Sequence, residues 1–308
     1  LTSNRIFDFG YLSQAPHDGL VPLVDTTFEW SNIGAGTYIV PSPTTGSLTV
    51  STATTGTLIE QRATYPDAFV PAADDVVTRT WNLVVGTTSN NGSLQGVNGY
   101  SNAMFGLDGA DSMRGGALGD QMRGGLGNDT LRGFGGNDTI DAGAGVDYVD
   151  GGDDNDLIIG GPGADIDTLR GGAGNDTIDG GDGADRVYGD AGADHLLAGD
   201  GNDFLYIDQN DVSAGLIDGG AGLGDAAFLD VAGSIVGLNL HASNLEAFYG
   251  WSPGTFADAV TGNAASTVAL TIRGFGGDDN LTGGGGSDNI QGGDGNDTLV
   301  GSGGADVL

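Results

Sequence analysis

The sequence predicts an all-β protein in which a parallel β-roll follows a small antiparallel β-sandwich-like domain. Three observations support this prediction. From Gly106 onward, units of nine residues rich in Gly and Asp follow one another without a gap. An apolar residue keeps a fixed distance from an aspartate in every unit. Residues 1–100 lack this period and show alternating stretches such as GSLTVSTA at 46–53. A repeat of fixed period determines the architecture before local propensity is considered.

The composition limits the classes of partner. The chain has 61 Gly, 42 acidic residues and nine Arg, with a formal net charge of -33 and no Cys. Such negative charge argues against nucleic acid and anionic membranes, and it favours a cation. The lack of Cys excludes disulfides and zinc-thiolate sites. No apolar run reaches the roughly 18 residues of a membrane helix, so no membrane insertion is expected.

Residues 1–100 contain few acidic groups and many turn signals. The pairs Asn91-Gly92 and Asn98-Gly99 mark turns, and TWNLVVG at 80–86 alternates as a half-buried strand does. These features predict short antiparallel strands that form a β-sandwich-like domain over 1–100.

Residues 101–206 contain eleven consecutive nonapeptides, from GLDGADSMR to AGDGNDFLY. The sixth position is aspartate in every unit, and the penultimate position is always apolar. The seventh unit, GGPGADIDTLR, has two extra residues. The apolar positions are Met113, Met122, Leu131, Ile140, Val149, Ile158, Leu169, Ile178, Val187, Leu196 and Leu205.

The period weakens over residues 207–273 and returns in four units over 274–308, the last of which is one residue short. The stretch GGAGLGDAAFLD at 219–230 keeps a lengthened version of the unit. Two interpretations of 207–273 stay open: degenerate solenoid coils whose turns bind no ion, or a capping segment. Residues 274–308 are predicted to form a second, truncated roll.

Each unit predicts a tight turn followed by a very short strand. Gly reaches the positive φ values that the turn needs, and the middle residue of the three-residue strand points to the opposite side from its neighbours. Two units make one coil of 18 residues. Stacked coils repeat every ~4.8 Å and bury the apolar column between two parallel sheets.

This core is too thin to stabilise the roll alone. One buried aliphatic side chain per unit does not offset the conformational entropy of nine ordered residues, and stacking also brings aspartates together. Ca²⁺ takes six to eight oxygen ligands, which carboxylates and exposed backbone carbonyl groups supply. Mg²⁺ fits less well because it demands octahedral geometry. The repeats therefore predict multiple Ca²⁺ ions.

The units resemble the glycine-rich nonapeptide of RTX proteins, GGxGxDxUx, over about 136 residues in two blocks. The resemblance implies a calcium-binding β-roll with ions between consecutive turns, and export by a type I secretion system whose signal would lie beyond Leu308. The insertion Ile166-Asp167 directly follows one of the implied ligands. The metal ligands that the resemblance implies are Asp111, Asp120, Asp129, Asp138, Asp147, Asp156, Asp165, Asp176, Asp185, Asp194, Asp203, Asp279, Asp288, Asp297 and Asp306.

RTX proteins include secreted proteases, lipases and epimerases, but this sequence shows no catalytic motif of those classes. It has no HExxH, and its histidines, His17, His195 and His241, are far apart. Residues 250–254 match the GxSxG nucleophile elbow. However, Pro253 has no N–H for an oxyanion hole, and no histidine follows Ser252. No catalytic residues are predicted, and the chain is expected not to be an enzyme.

Alternate units place their ninth positions on one face. Two interpretations of this column stay open: docking of a sugar or of the first domain through stacking and charge-assisted bonds, or a solvated face. The column runs Arg114, Arg132, Asp150, Arg170, Tyr188 and Tyr206.

These features predict a secreted, extracellular protein. With a dissociation constant of ~0.1–1 mM and ~10 mM calcium, each site stabilises the fold by roughly 1.4–2.7 kcal/mol, and by almost nothing at cytosolic calcium levels. The predicted function is a structural surface protein, such as a surface-layer, adhesin or matrix component, with self-association into a lattice or filament, or a cell-surface glycan, as further partners. The alternative is the accessory module of a secreted RTX enzyme.

Overall fold

The computed structural model describes residues 5–8, 27–30, 46–53, 56–64, 76–85 and 93–308, except 223, 230–232 and 251–254. The chain divides into two compact units, Leu1–Leu83 and Val84–Leu308. This division lies N-terminal to the boundary predicted near residue 100.

The described strands of the first unit pair antiparallel. Strand β1 (Arg5–Asp8) pairs with β2 (Thr27–Trp30). Strand β4 (Gly56–Thr64) lies between β3 (Gly46–Ala53) and β5 (Val76–Val85). The prediction of a β-sandwich depends on residues that are mostly outside the described ranges, and it stays a prediction.

The second unit is a parallel β-solenoid, which confirms the predicted fold class. Its elements in chain order are β6 (Leu94–Gln95), β7 (Ser101–Asp108), β8 (Ser112–Gly116), β9 (Gln121–Leu126), β10 (Thr130–Gly135), β11 (Thr139–Ala144), β12 (Tyr148–Asp153), β13 (Leu157–Gly161), β14 (Thr168–Ala173), β15 (Thr177–Gly181), β16 (Arg186–Ala191), β17 (His195–Leu197), β18 (Phe204–Ile207), α1 (Gln209–Ala214), β19 (Ile217–Asp218), β20 (Ala226–Leu229), β21 (Val236–Asn239), a 3-10 helix (Leu240–Ser243), β22 (Ala247–Tyr249), β23 (Ala259–Thr261), β24 (Thr271–Gly276), β25 (Asn280–Thr282), β26 (Asn289–Asp294) and β27 (Thr298–Val300).

Odd and even strands alternate between two sides of the coil. The even strands from β6 to β26 form one sheet of 11 strands, called here the even sheet. From β7 onward, the odd strands lie in two sheets, one that ends at β19 and one that runs from β21 to β27. Neighbouring strands are in register one coil apart, as in the pairing of Leu131 with Val149. The sheet and register therefore follow the 18-residue period predicted from the repeat.

The predicted apolar column forms the core between the sheets. All eleven of its side chains are buried, with exposed fractions from 0% to 3%. The column continues past the first repeat block, through Phe248, Val260, Ile272, Leu281 and Ile290, which are all fully buried. One buried side chain per strand is enough to give a continuous core because each strand has only one inward position.

The turns explain the glycine at the second position of the unit. Gly172 has a φ of +111°, and a Cβ there would collide with the carbonyl oxygen of Gly152 in the preceding coil. Leu107, Phe134 and Phe275 occupy the same position with φ of 83°, 79° and 70°. These three residues adopt the left-handed conformation at a cost of about 1–2 kcal/mol each.

Residues 207–273 continue the solenoid. Strands β20 and β22 extend the even sheet without a break, whereas the odd side is interrupted between β19 and β21. Helix α1 lies at this interruption, with Asp208 as its N-cap and Gly215 as its C-cap. The Gln209 side chain accepts a hydrogen bond of 2.6 Å from the Val236 N–H and donates one of 3.3 Å to the carbonyl oxygen of Val236. The segment is therefore made of modified coils.

Candidate functional site

The sixth-position aspartates form a relay along each side of the solenoid. One carboxylate oxygen, Oδ1, accepts a hydrogen bond from the backbone N–H of the aspartate one coil earlier. Asp129 accepts from Asp111 at 2.8 Å, and Asp147 accepts from Asp129 at 2.7 Å. On the other side, Asp156 accepts from Asp138 at 2.8 Å. The relay fixes each carboxylate inside the stack of turns.

Most of the aspartates implied as ligands are buried. Their exposed fractions are at most 4%. The buried members of the predicted set are Asp111, Asp120, Asp129, Asp138, Asp147, Asp156, Asp176, Asp185, Asp194, Asp203, Asp279 and Asp288. Asp297 and Asp306, in the last described coil, are partly exposed.

The second carboxylate oxygen, Oδ2, lacks a protein partner in many of these residues. A buried polar atom without a hydrogen bond costs about 1–3 kcal/mol, and more when it is charged. Asp120 and Asp288 differ, because their Oδ2 atoms accept N–H bonds of 2.6 Å from Gly116 and Gly284. The residues whose Oδ2 is buried and unpartnered include Asp129, Asp138, Asp147, Asp156, Asp176, Asp185, Asp194, Asp203, Asp225 and Asp279.

These oxygen atoms converge on the first glycine of the unit. A Cβ added to Gly124 would collide with both Asp129 Oδ2 and the carbonyl oxygen of Ala142, one coil later. At Gly180 a Cβ would lie 3.0 Å from Asp185 Oδ2 and would also meet the carbonyl oxygen of Ala198. Glycine at this position thus leaves a space lined by carboxylate and carbonyl oxygens from successive coils.

Burial raises the pKa of these carboxyl groups because the charged form loses its hydration. The N–H bond from the preceding coil lowers the pKa in part, and neighbouring carboxylates raise it again. The pKa of Asp138 rises to about 8, those of Asp147 and Asp156 rise to about 7, and that of Asp129 rises to about 6. A row of aspartates at neutral pH therefore needs protons or cations to compensate its charge.

The donor set fits Ca²⁺. The ion is hard and takes several oxygens in irregular arrangements. The described residues contain no group of three or more His, Cys, Asp or Glu side chains that would hold a metal ion. Backbone carbonyl oxygens must therefore complete each ligand shell, and the turns place such oxygens beside the unpartnered carboxylate oxygens.

The structure corrects the position assigned to Asp165. This residue is exposed, whereas Asp167 is buried and accepts a 2.8 Å hydrogen bond from the Asp147 N–H. Asp167 also donates its own N–H to Asp185 Oδ1 at 2.9 Å. The two extra residues lengthen the turn before the aspartate, so the in-register residue is the one directly before the strand.

Three aspartates that the sequence analysis missed, Asp211, Asp225 and Asp258, occupy equivalent buried positions. They accept hydrogen bonds of 2.7–2.8 Å from the backbone N–H groups of Asp194, Asp203 and Ile235, respectively. The sequence contains a signal for two of them, Asp225 and Asp258.

Counting back two residues from the buried apolar position of the strand finds Asp225 before Ala227 and Asp258 before Val260. The same rule finds Asp167 before Leu169. Asp211 belongs to helix α1 and has no such signal.

The relay changes in the segment 207–273. Glu246 replaces the aspartate at one position, and its Oε2 accepts the Asp225 N–H at 3.0 Å. Leu270 and Ile235 occupy two other equivalent positions, since their N–H groups donate to Asp288 and Asp258. These apolar residues contribute no carboxylate, so the segment contains fewer possible ligands than the repeat blocks.

The described structure does not place the histidines in a common site, and it does not describe most of the residues that match GxSxG. His195 lies partly exposed on β17, and His241 Nδ1 accepts the Asn263 N–H at 2.8 Å. His17 and residues 251–254, which include Ser252 and Pro253, lie outside the described residues. Within the described residues, no helix is long and apolar enough to span a membrane.

Comparison with known families agrees with the geometry. The profile of the RTX calcium-binding nonapeptide repeat matches residues 98–131, 114–149, 132–166, 163–196, 179–209 and 273–308. No curated protein matches the chain. The matched residues contain the buried aspartate relays of both repeat blocks, and residues 210–272 are unmatched. The chain therefore contains two blocks of RTX calcium-binding nonapeptide repeats, which bind multiple Ca²⁺ ions.

Proposed function

We propose that the chain is part of an extracellular structural protein, such as a surface-layer, adhesin or matrix component, whose rolls fold when Ca²⁺ binds after secretion. The observation that carries this proposal is the row of buried carboxylates with unpartnered Oδ2 atoms. Such a row is unfavourable without cations and favourable with them. Calcium is scarce in the cytosol and abundant outside, so it would delay folding until export.

The structural role is favoured because the repeated geometry of the unit stabilises the coil itself. The buried aspartates bind the backbone of the neighbouring coil, and the apolar column fills the core. The same coil repeats through both blocks, so the solenoid is a stiff spacer whose length depends on the number of repeats. We propose that it has no catalytic activity of its own.

The alternative proposal is an accessory and secretion module of a secreted RTX protease, lipase or polysaccharide epimerase. Its support is the RTX profile match, because those enzymes carry the same repeats. It predicts catalytic activity in the full-length protein and no calcium-dependent assembly.

Two measurements on the full chain test these proposals. Far-UV circular dichroism with EDTA and then with calcium is expected to show folding of the β-roll only after calcium is added. Electron microscopy in calcium is expected to show ordered assemblies. Equal β structure with and without calcium would contradict calcium-driven folding. Calcium-dependent folding without assembly, together with activity of the full-length protein on polysaccharide, ester or protein substrates, would favour the alternative.

A further inference from the structure

The outer face of the even sheet concentrates positive charge on a strongly acidic protein. Residues 84–308 contain six arginines, and Arg123 alone of them lies on an odd strand. The strands of the even sheet bury their middle residue and leave its two neighbours on the outer face. The arginines on this face are Arg114, Arg132, Arg170, Arg186 and Arg273.

Each of these five guanidinium groups lies over an aromatic ring. The distances from Cζ to the ring centroid range from 4.7 Å, for Arg114 over Phe134, to 5.9 Å, for Arg132 over Tyr148. Cation–π contacts of this kind hold the planar group in one orientation. Its N–H donors then point in the plane of the group, where a carboxylate can bind in bidentate fashion.

Few carboxylates on the protein neutralise this face. Arg170 binds Asp190, with Nε to Oδ2 at 3.0 Å. In the described part of the chain, Arg114, Arg132, Arg186 and Arg273 form no ion pair. Arg123, on the opposite side, binds Asp141 at 2.8 Å. Four unpaired arginines on a chain with 42 acidic residues indicate an anionic partner from outside.

The aromatic residues of this face form a ladder whose ring faces are already in contact. Tyr188 stacks on Tyr206 with centroids 4.0 Å apart, Tyr206 on Phe228 at 5.3 Å, and Phe228 on Tyr249 at 4.8 Å. Arg170 and Arg273 cover the two ends of the ladder, over Tyr188 and Tyr249. The ladder therefore presents ring edges to solvent.

This geometry distinguishes between classes of anionic polymer. Single-stranded nucleic acid binds by stacking bases on free aromatic faces, and the ladder offers none. The stacking of a sugar on these rings, considered from the sequence, is excluded for the same reason. Recognition must instead use the guanidinium edges, which suit carboxylate groups.

The arrangement of the arginines favours a thin, linear partner. Arg114, Arg132, Arg170 and Arg186 lie on β8, β10, β14 and β16, which span about 19 Å at ~4.8 Å per strand. A bulky acidic partner, including a second copy of this chain, would also face the surrounding carboxylates. A single polymer chain along the face would contact mainly these arginines and one carboxylate, Asp150 on β12, which lies between Arg132 and Arg170.

We propose that the outer face of the even sheet binds a linear polysaccharide that carries carboxylate groups, through Arg114, Arg132 and Arg186. The inference rests on the proposed extracellular role and names the partner of that role. Charge-assisted bidentate bonds supply the affinity, so binding weakens as salt increases. Calcium is required only to fold the coils that hold the arginines on one face.

The test uses the full chain in about 2 mM calcium, a concentration at which extracellular modules bind the ion. Fluorescence anisotropy measures binding of a labelled oligogalacturonate, with a neutral malto-oligosaccharide of equal length and an oligothymidylate as comparison probes. The variants are Arg132→Gln, Arg132→Lys and the triple change Arg114→Gln, Arg132→Gln and Arg186→Gln. Arg123→Gln is the matched control, since it removes one arginine from the opposite side.

We expect oligogalacturonate to bind and the neutral probe not to bind. The triple variant should bind at least about tenfold more weakly, equivalent to about 1.4 kcal/mol. Arg132→Gln should show a smaller loss, Arg132→Lys an intermediate one, and Arg123→Gln no change. Circular dichroism in calcium checks that each variant folds, and Arg132→Lys keeps the test valid if the triple variant does not fold.

Four results would overturn the proposal: no binding of oligogalacturonate, equal binding of the neutral probe, stronger binding of oligothymidylate, or unchanged affinity in a folded triple variant. The last result would mean that calcium ions bridge the sugar to acidic turns. None of these results affects calcium-driven folding, which circular dichroism measures separately.

Discussion

The repeat blocks and the segment 207–273 build the same coil with different chemistry. In the blocks, glycine turns bury a row of carboxylates that need calcium. In the segment, Leu270 and Ile235 replace two carboxylates, and stacked rings from Tyr206 to Tyr249 link the coils outside the core. The even sheet runs unbroken through both regions. Strand pairing and one buried residue per strand thus define the coil, while the means of stabilising the turns varies.

The largest expected effect comes from removing three carboxylates of one relay in the first block. The triple change Asp138→Asn, Asp156→Asn and Asp176→Asn keeps the Oδ1 acceptors and removes the charges. In about 10 mM calcium the free energy of unfolding should fall by about 4–8 kcal/mol, from three sites of roughly 1.4–2.7 kcal/mol each. In EDTA the same change should increase it, because buried charge is lost. Urea unfolding measures the loss in calcium, and the β structure seen by far-UV circular dichroism measures the gain in EDTA.

The matched control for this prediction changes three exposed aspartates, Asp153, Asp165 and Asp182, to Asn. It alters the net charge equally but should leave stability nearly unchanged in both conditions. If the control variant lost as much stability in calcium as the relay variant, the effect would come from the net charge and not from the buried carboxylates. That result would contradict the prediction.

The pH dependence of the calcium-free chain gives the next largest effect. Folding raises the pKa of Asp138 from its ordinary value of 3.8 to about 8, and that of Asp258 in the segment to about 6, chiefly by desolvation. The folded chain then binds more protons than the unfolded chain between about pH 4 and pH 8. The free energy of unfolding should therefore fall as pH rises through this window.

Far-UV circular dichroism of the metal-stripped chain at pH 5 and pH 8 measures this difference, and we expect a larger folded fraction at pH 5. In calcium the dependence should weaken or reverse, because protons compete with the ion for the same carboxylates. Greater stability at pH 8 than at pH 5 without metal would show that the carboxylates are not desolvated.

Two glycines compare the closely stacked coils of a block with an open position in strand β21 of the segment. Gly172→Ala places a Cβ against the Gly152 carbonyl oxygen at a φ of +111°, whereas Gly237 has a φ of +92° and open space around it. Gly237→Ala should cost about 1–2 kcal/mol from the left-handed backbone alone. Gly172→Ala should cost more than this, since the collision adds to it. Thermal unfolding in calcium measures the stability of both variants. Equal costs would mean that the coils at Gly172 are not stacked closely enough for a Cβ to collide.

The smallest effect is expected in the aromatic ladder. Tyr206→Leu removes contacts with Tyr188 and Phe228, which should cost about 0.5–1.5 kcal/mol for each lost aromatic pair. The cost should be the same at two calcium concentrations that both saturate the ion sites, because the ladder binds no ion. Urea unfolding at two calcium concentrations tests this, and Ser112→Ala, on the same face, is a suitable control. A cost that grows with calcium would link the ladder to the ion sites.

The strict period predicted most of this architecture, because each nonapeptide is one turn and one strand. The buried column from Met113 to Leu205 and the burial of Asp138 follow directly from their places in the unit. Asp165 was assigned wrongly because the unit was counted from its glycines, while the strand at Leu169 sets the register. Position within the coil depends on the strand, and insertions are absorbed by the turn.

The features of the segment were less predictable because they depend on contacts between distant residues. Asp211 enters the relay from helix α1, and Gln209 hydrogen-bonds to Val236 across the odd-side break. The ladder was partly visible, since Tyr188 and Tyr206 share the ninth position. Its extension through Phe228 and Tyr249 required knowing that the coils continue.

A crystal structure of the full chain grown in calcium, with an anomalous difference map, tests the central claim most directly. The account predicts ions about 2.3–2.6 Å from the Oδ2 atoms of Asp129, Asp147 and Asp156, with carbonyl oxygens of adjacent turns completing the shells. Folded turns in which these Oδ2 atoms contact only water or protein, with no anomalous peak, would contradict it.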